Sequence, residues 1–171
     1  MIKSIEPLGK HDRAAFSCGV PSLDDWFRHR AGQDEKRNVA RVFVAIDDAR
    51  RIAGFYSLSS FTITIADVPP EQAKRLPRYD AIPAALIGRL ARDQNARGEG
   101  VGGLLLADAL RRVIGASGTL AVFAIVVDAI DERAAEFYRQ FGCAPFPSRP
   151  LRLFMPVSEA AAAVSRAGVT R

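Results

Sequence analysis

The sequence contains few residues of the types that build metal sites and disulfide frameworks. Its 171 residues include two cysteines, Cys18 and Cys143, and two histidines, His11 and His29. The cysteines are far apart and lack the Cys-x-x-Cys spacing, so we expect neither a bound metal nor a disulfide framework. Free thiols in a reducing compartment fit this composition best.

Long apolar runs are missing as well. There is no stretch of about 18 apolar residues, and the first residues, MIKSIEPLGKHDR, contain no apolar segment of the signal-peptide type. We therefore expect no membrane contact and a cytoplasmic location. With 49% hydrophobic and 25% charged residues, residues 1–171 are expected to form one domain with a full core. The alanine-rich tail, about 157–171, is expected to be peripheral.

Lysine is scarce relative to arginine. Four of the 24 basic residues are lysines, and the formal net charge is +5. Because the guanidinium group binds phosphates with two parallel hydrogen bonds, a polyanionic partner is one explanation for the arginine excess. The alternative is a codon-usage bias toward arginine and alanine with a solvated basic surface.

A glycine cluster in the middle of the chain is the motif around which the rest is organised. Residues 85–92 predict a strand, a short polar turn follows, and a leucine-rich helical run comes after the cluster. Glycines let the backbone approach a ligand closely, and the unpaired N–H groups at the start of a helix attract anions. This stretch predicts a site for a phosphorylated cofactor. Its residues are Arg97, Gly98, Glu99, Gly100, Val101, Gly102 and Gly103.

The cluster fits two phosphate-binding schemes. Gly98-x-Gly100-x-x-Gly103 matches the dinucleotide fingerprint, with Asp128 as the ribose-binding acid. In that fold, however, the first glycine follows its strand almost directly, and the roughly 70 residues after the cluster are too few for a doubly wound sheet with a substrate site. The other parse, Arg97-x-x-Gly100-x-Gly102, wraps successive amides around a pyrophosphate.

The remaining elements are predicted from periodicity and from turn residues. They alternate between helices and strands, so the sequence predicts an α/β layered domain in which the strand at 85–92 and a later one are joined by the helix after the glycine cluster. The elements are a helix from about Leu23 to Glu35, a hairpin of strands Val42 to Ile46 and Ile52 to Ile65, a proline-rich surface excursion from Ala66 to Ala84, a helix ended by Gly115 and Gly118, a strand from Leu120 to Val127, a helix from Asp131 to Phe141 stopped by Gly142, and a strand from Leu151 to Met155.

The second parse resembles the acyl-CoA-binding motif of the GNAT (GCN5-related) N-acetyltransferases, and residues 136–142, EFYRQFG, look like the F-Y-x-x-x-G-F motif of that family. Other segments are similar to the GNAT toxins of toxin–antitoxin modules, over about Phe16 to Met155. They are Phe16-x-Cys18-Gly19-x-x-x-Leu23-Asp24, Gly54-Phe55-Tyr56-Ser57-Leu58, Leu76-Pro77-Arg78-Tyr79, Ile82-Pro83, Gly88-Arg89-Leu90-Ala91 and Val127-Asp128-Ala129. Two positions depart from the toxin pattern: Arg92 replaces an aliphatic residue, and Cys143 replaces a phenylalanine.

This resemblance implies a GNAT fold, in which a mixed central sheet with helices on both faces splays between strands 86–92 and 121–127. It implies acetyl-CoA as cofactor, with backbone amides near Leu90 and Ala91 holding the acetyl carbonyl oxygen, and Tyr138 as general acid. By spacing alone, Tyr138 equally fits a core aromatic residue. The implied cofactor-binding residues are Leu90, Ala91, Arg92, Arg97, Gly98, Glu99, Gly100, Val101, Gly102, Gly103, Asp131 and Phe137.

The toxin resemblance also implies an acceptor and partners: the α-amine of aminoacyl-tRNA, a ribbon-helix-helix antitoxin and a second copy of the chain in a homodimer. The absence of an obvious general base mildly favours an α-amine, with a pKa of about 7.7–8.0, over a lysine side chain at about 10.4. Candidate tRNA contacts are Lys36, Arg37, Arg41, Lys74, Arg75, Arg78, Arg89 and Arg92. The alternatives are a GNAT enzyme for a small amine, an antibiotic or a protein N-terminus, and a non-catalytic CoA- or nucleic-acid-binding module.

Overall fold

A seven-stranded mixed sheet runs through the protein, with strand order β1-β2-β3-β4-β5-β7-β6. The structure is a computed structural model that describes residues 1–169 and the side chains of residues 1–167. Neighbouring strands are antiparallel except for the β4–β5 pair, which is parallel. The strands are β1 (Ile2–Pro7), β2 (Arg41–Asp47), β3 (Ile52–Thr64), β4 (Ala81–Arg92), β5 (Ala124–Asp128), β6 (Ala144–Phe146) and β7 (Arg149–Pro156).

Helices cover both faces of this sheet, as predicted. They are α1 (Pro21–His29), α2 (Ala31–Lys36), α3 (Pro70–Ala73), α4 (Val101–Ala116), α5 (Glu132–Gln140) and α6 (Val157–Val169), with single 3-10 turns at Ile65–Asp67 and Gln94–Ala96. The apolar sides of α4, α5 and α6 share one core cluster with the sheet. On the opposite face, α1 and α2 cover a second cluster, and residues around α3 contribute to a third.

The strand β4 leaves its parallel neighbour partway along its length. Only Ala84–Ile87 pair with Ala124–Val127 of β5, whereas the rest of β4, up to Arg92, pairs with β3 alone. The β3–β4 register shifts between the pairs Ser57↔Arg89 and Leu58↔Ile87, which makes Gly88 the extra residue of a β-bulge. A bulge bends and twists its strand, and this one lies where the two strands part. The predicted splay is therefore confirmed, with β5 starting later than expected.

Two strands and one helix break were not predicted. β1 is an edge strand whose alternation is masked by polar residues, and β6 has three residues. The helix predicted over Leu23 to Glu35 is divided at Arg30, whose backbone (φ −120°, ψ −26°) leaves the helical region while its amide still bonds to the Trp26 carbonyl.

Two predicted boundaries were also wrong. β4 begins at Ala81, inside the segment expected to be an irregular excursion, because Pro83 lies near the open end of the strand, paired with Thr62. Residues 120–123 are not part of β5; the Leu120 amide bonds back to the Ala116 carbonyl in a turn, and the side chain is 69% exposed. Helix α4 ends at Ala116, between Gly115 and Gly118, as predicted.

The expectation of a peripheral tail was wrong for most of its length. Helix α6 packs along α4, with Ala160, Ala163 and Ala167 at 0–1% exposure on one side of the helix. Arg166 also donates from Nη2 to the Phe141 carbonyl at 2.8 Å, at the end of α5. Small side chains allow two helices to approach closely, so the alanine-rich sequence of α6 indicates tight packing against α4. Residues 170 and 171 of the predicted tail lie outside the described residues.

The α4–α6 contact predicts unequal effects for two neighbouring alanines. Ala163→Leu adds volume to a fully buried position, and we expect the free energy of unfolding to fall by about 1–3 kcal/mol. Ala162→Leu, on the exposed side of the same helix, should change it by less than about 0.5 kcal/mol. Urea unfolding measures both values, and equal effects would show that α6 does not pack as described.

Candidate active site

The backbone of β4 beyond Gly88 presents hydrogen-bonding groups to the gap left by β5. The Asp93 amide donates to the Ala53 carbonyl of β3 at 2.8 Å. In an antiparallel pair the groups of every second residue point to the same neighbour, so those of Ala91 also face β3. The amides of Leu90 and Arg92 face the gap. Of the two amides suggested by the sequence for holding a carbonyl oxygen, Leu90 has the right direction and Ala91 belongs to the β3–β4 ladder.

The glycine loop, residues 97–103, begins α4 with unpaired backbone donors. Gly98 (φ +83°) and Gly100 (φ +71°) have left-handed conformations, and Gly100 is the N-cap. Within the described chain, five amides of the loop donate to no acceptor; they are those of Gly98, Gly100, Val101, Gly102 and Gly103. The Glu99 amide is already bonded to the Ala96 carbonyl. Together with the positive end of the helix dipole, these donors suit a pyrophosphate.

Helix α5 lies beside the glycine loop. A Cβ at Gly102 would stand 3.5 Å from the Phe137 ring, so the start of α4 and the middle of α5 are in contact. Asp131 caps α5, with Oδ1 accepting from the Ala134 amide at 2.8 Å. The Arg97 and Glu99 side chains are exposed, and Arg92 is half-buried. The structure therefore places most of the predicted cofactor-binding residues around the end of β4 and the start of α4, whereas Asp131 is shown only as the cap of α5.

Tyr138 projects from α5 into the core cluster and is 3% exposed. Its ring meets that of Phe137 edge-to-face, with the centroids 5.3 Å apart. Burial, with smaller effects from Cys143 and Asp128, raises the pKa of the Tyr138 phenol above its usual value. The phenol therefore keeps its proton at neutral pH, as a hydrogen-bond donor to a leaving group must. Burial raises the pKa of the neighbouring Cys143 to about 12, so this thiol stays neutral.

Two buried carboxylates brace the loop before α1 against the end of β4. Asp93 accepts from the Ser17 amide at 3.0 Å and from the Asn95 amide at 2.8 Å. Asp24 accepts from the Cys18 amide at 2.8 Å and from the Ser17 hydroxyl at 3.2 Å. Sequence reasoning gave neither acid a role, although Asp24 ends the Phe16-to-Asp24 segment that resembles the toxins. The closeness of Asp24 to the Ser-Cys-Gly turn was the available signal, whereas Asp93 is 76 positions from Ser17 in the chain.

The predicted tRNA contacts divide into three places. Lys36, Arg37 and Arg41 are exposed around the end of α2, where Arg41 is paired with Glu35 at 3.3 Å. Arg78 is exposed in the segment between α3 and β4. Arg89 differs, because its guanidinium lies 4.0 Å from the centroid of the Trp26 ring and is half-buried.

No helix within residues 1–169 is long and apolar enough to cross a bilayer. Over the same residues, no three histidine, cysteine or acidic side chains are grouped so that they could hold a metal ion.

The family model described as acetyltransferase (GNAT) family matches residues 8–143. The chain thus belongs to the GNAT acetyltransferase family, and its seven-stranded mixed sheet is the GNAT fold. A protein of Sinorhizobium fredii named probable toxin TacT is 38% identical over 164 residues, covering 90% of this chain and 91% of that protein. A tRNA-acetylating toxin of Mycobacterium tuberculosis is 37% identical over 153 residues, covering 90% of both proteins.

Solved structures of toxins have the same fold. A tyrosine-to-phenylalanine variant of KacT superposes with a TM-score of 0.86 at 26% identity, covering 93% of this chain and 97% of that one. AtaT complexed with acetyl-methionyl-tRNAfMet gives a TM-score of 0.84 at 26% identity and the same coverages. AtaTR bound with acetyl-CoA gives 0.80 at 26% identity, covering 93% of this chain and 96% of that one.

The lowered pKa of Asp24 predicts that the stability contributed by its carboxylate depends on pH. Burial alone would raise this pKa, but the hydrogen bonds from Cys18 and Ser17 outweigh burial and lower it. The ionised carboxylate therefore stabilises the folded state above the unfolded-state pKa of about 3.9, and the contribution is lost as the pH falls below it. We expect Asp24→Asn to lower the free energy of unfolding by about 1–3 kcal/mol at pH 7 and by clearly less at pH 3.

Urea unfolding at the two pH values checks this expectation. Asp25→Asn is the matched control, because Asp25 follows in the same helix but is exposed, and it should change stability by less than about 0.5 kcal/mol. A penalty for Asp24→Asn that is the same at pH 3 and pH 7 would contradict the role of the charge.

Proposed function

We propose that this protein is a toxin that transfers the acetyl group of acetyl-CoA to the α-amine of aminoacyl-tRNA. The observation that carries the proposal is the identity of 37% over 90% of the chain to a tRNA-acetylating toxin. The geometry supports it, because the free backbone groups of β4 and the free amides of the glycine loop follow one another along the chain where β4 and β5 separate. An acetylated α-amine has lost its nucleophilic lone pair, so such a product stalls translation.

The residues near the gap fit acetyl-CoA. The five free amides of the glycine loop would bind the pyrophosphate, with Arg97 close enough in the chain to add charge. The free backbone groups of Leu90 and Arg92 would pair with the amide-containing arm of the cofactor, as one strand pairs with the next. When bound, acetyl-CoA supplies the acetyl group as a thioester.

The chain's own groups would assist the transfer on both sides of the thioester. The Leu90 amide would donate to the carbonyl oxygen, where negative charge develops as the amine attacks. Tyr138 would donate its phenolic proton toward the departing sulfur. The nitrogen–carbon bond forms as the carbon–sulfur bond breaks, and the nitrogen releases one proton while the sulfur gains one. Because an α-amine titrates near pH 7.7–8.0, roughly a fifth or more is neutral at pH 7.4 without a strong base.

Charged tRNA would bind through exposed cations and through Arg89. The cations are those around the end of α2 (Lys36, Arg37 and Arg41) and Arg78 in the segment before β4. Arg89 adds a cation held against Trp26, close to where β4 and β5 separate. Phosphate contacts of this kind are sequence-independent and weaken with salt.

The proposal extends to partners. Toxin activity of the kind named for the S. fredii relative requires a neutralising protein in the producing cell. We assign this role to a ribbon-helix-helix antitoxin, whose acidic segment would cover the basic surface of a chain with net charge +5. We further propose that the toxin is a homodimer and acts in the cytoplasm, where charged tRNA is found.

Tyr138→Phe tests the assigned chemistry. We expect the variant to fold and to bind acetyl-CoA with unchanged affinity but to lose at least about a hundredfold in transfer rate, because general acid catalysis contributes about 10²–10⁴. Labelled acetyl-CoA and total charged tRNA measure transfer, and calorimetry measures binding.

Tyr56→Phe is the control for this substitution. Tyr56 is equally buried and donates its hydroxyl proton to Asp108 at 2.5 Å, away from the gap. Its loss should lower stability by about 1–3 kcal/mol while transfer continues. Normal turnover by Tyr138→Phe would exclude Tyr138 as the acid.

Arg78→Ala tests the tRNA contacts. If Arg78 binds a phosphate, its removal should weaken binding of charged tRNA and reduce the slope of log affinity against log salt concentration by about one. Arg111→Ala, an exposed arginine on α4, should leave the slope unchanged. Filter binding from low to high salt gives both slopes. If the affinity for charged tRNA does not change with salt concentration, the proposal that tRNA binds to the basic surface is contradicted.

A further inference from the structure

The sheet face opposite α4 carries a polar band between two apolar clusters. One cluster lies under α1 and α2 and includes Phe55 and Ala91; the other lies toward β6 and β7 and includes Ala84 and Phe154. Strand alternation places five polar residues on this face, between the two clusters. We call them the polar band: Ser57, Ser59, Arg89, Asp128 and Arg152.

The polar band crosses the sheet at the level where β4 and β5 separate. Ser57 and Arg89 form the first β3–β4 pair beyond the Gly88 bulge. Asp128 is the residue that follows Val127, the last member of β5 to pair with β4. The glycine loop and Tyr138 lie on the other face, with the α4, α5 and α6 cluster. An acceptor that meets the acetyl group in the gap therefore approaches it across the polar band.

The acid of this band, Asp128, is held in one orientation. Arg152 donates from Nε to Oδ1 at 2.7 Å and from Nη2 to Oδ2 at 3.0 Å. The guanidinium of Arg152 in turn lies 4.8 Å from the centroid of the Phe61 ring. The Asp128 side chain is still 35% exposed. Since each carboxylate oxygen has two lone pairs, the pair with Arg152 leaves acceptor positions open on this partly exposed carboxylate.

Asp128 also lies near the proposed acid. Its negative charge is among the influences that raise the pKa of the Tyr138 phenol, although the two side chains belong to opposite faces of the sheet. Asp128 follows the last residue of β5 that pairs with β4, and Tyr138 lies in the core cluster on the opposite face of the sheet. This is the placement expected for groups that contact the nucleophile and the leaving group of one displacement.

We propose that Asp128 positions the acceptor amine by accepting one of its N–H hydrogen bonds, so that the nitrogen lone pair points into the gap at the thioester carbonyl. Arg152 holds the carboxylate for this contact. The inference rests on the proposed function for the direction of the acceptor's approach, and it names the group that orients the acceptor nitrogen toward the thioester.

The pair with Arg152 makes Asp128 a positioning group rather than a strong base. Its two hydrogen bonds from Arg152 fix the plane of the carboxylate, and a carboxylate held in this way aligns an N–H donor. The amine proton released as the nitrogen–carbon bond forms passes to water, and the sulfur receives its proton on the opposite face. No additional reactant is needed for this balance.

Asp128→Asn is the primary test, assayed with acetyl-CoA and two acceptors: total charged tRNA and a small α-amine, methionine amide. We expect kcat/KM for both acceptors to fall roughly ten- to hundredfold, as for loss of a charged hydrogen bond. Acetyl-CoA affinity and the slow hydrolysis of acetyl-CoA by water should stay within about twofold, because neither uses the amine contact. A parallel fall in all four quantities would overturn the proposal and make Asp128 structural.

A double variant separates the amine contact from the ion pair. In Asp128→Asn with Arg152→Gln, two neutral amides replace the two charges, so no guanidinium is left without its partner. If Asp128 only neutralises Arg152, amine transfer recovers and the proposal is overturned. If Asp128 aligns the amine, transfer remains low. Asp67→Asn, which alters an exposed charge near Arg152 outside the polar band, should transfer at the wild-type rate.

The wild-type protein distinguishes this inference from the proposed function. Acetylation of methionine amide without acetylation of charged tRNA would refute the proposed acceptor, while the comparison of Asp128→Asn with wild type still decides the role of Asp128. Transfer to neither acceptor would overturn both. An unchanged kcat/KM in Asp128→Asn, with labelled tRNA as product, would leave the proposed function standing and reject this inference alone.

Discussion

A strand in a sheet interior normally satisfies its backbone groups on both sides, and β4 does so for only part of its length. Four residues pair with β5, and the remainder pairs with β3 alone. Unpaired amides inside a protein are costly unless a ligand or solvent meets them, so the free edge of Leu90 and Arg92 suits a ligand that pairs with it as a strand would. The glycine loop continues this edge with more free donors. The free groups of β4 and the free amides of the glycine loop together suit an extended ligand that has polar groups at regular intervals and an anionic end.

The free donors are kept in place by groups that never reach the gap. Asp24 and Asp93 tie the turn before α1 to the residue at which β4 ends, and α6 packs along α4 and bonds to the end of α5. A loop with several glycines has a large conformational entropy to lose. Because these contacts hold the glycine loop from both sides, its conformational entropy is lost during folding rather than during ligand binding.

Local patterns predicted much of this. The glycine loop, the hairpin of β2 and β3, the capped helix α5 and the position of Tyr138 follow from turn residues, periodicity and motif resemblance. The start of β5 could not be predicted, because residues 120–123 are as apolar as the strand and only the distance to β4 decides where pairing begins. Asp128 was considered as a ribose ligand because it ends a predicted strand, and its pairing with Arg152, 24 positions away in the chain, could not be predicted. Low apolar bulk in α6 suggested a peripheral helix, whereas small side chains are what its close packing on α4 needs.

Gly88 gives the two halves of β4 different alternation. Before the bulge, Ala84 and Leu86 face the cluster near β7; after it, Arg89 and Ala91 face the same side of the sheet although they have the opposite parity. A one-residue shift exchanges the two faces of a strand. Deletion of Gly88 would therefore turn Arg89 toward the helix α4 core or carry Leu86 out of its cluster. The length of this strand is consequently fixed to the single residue, and sequence drift in this part of the chain is limited to substitutions.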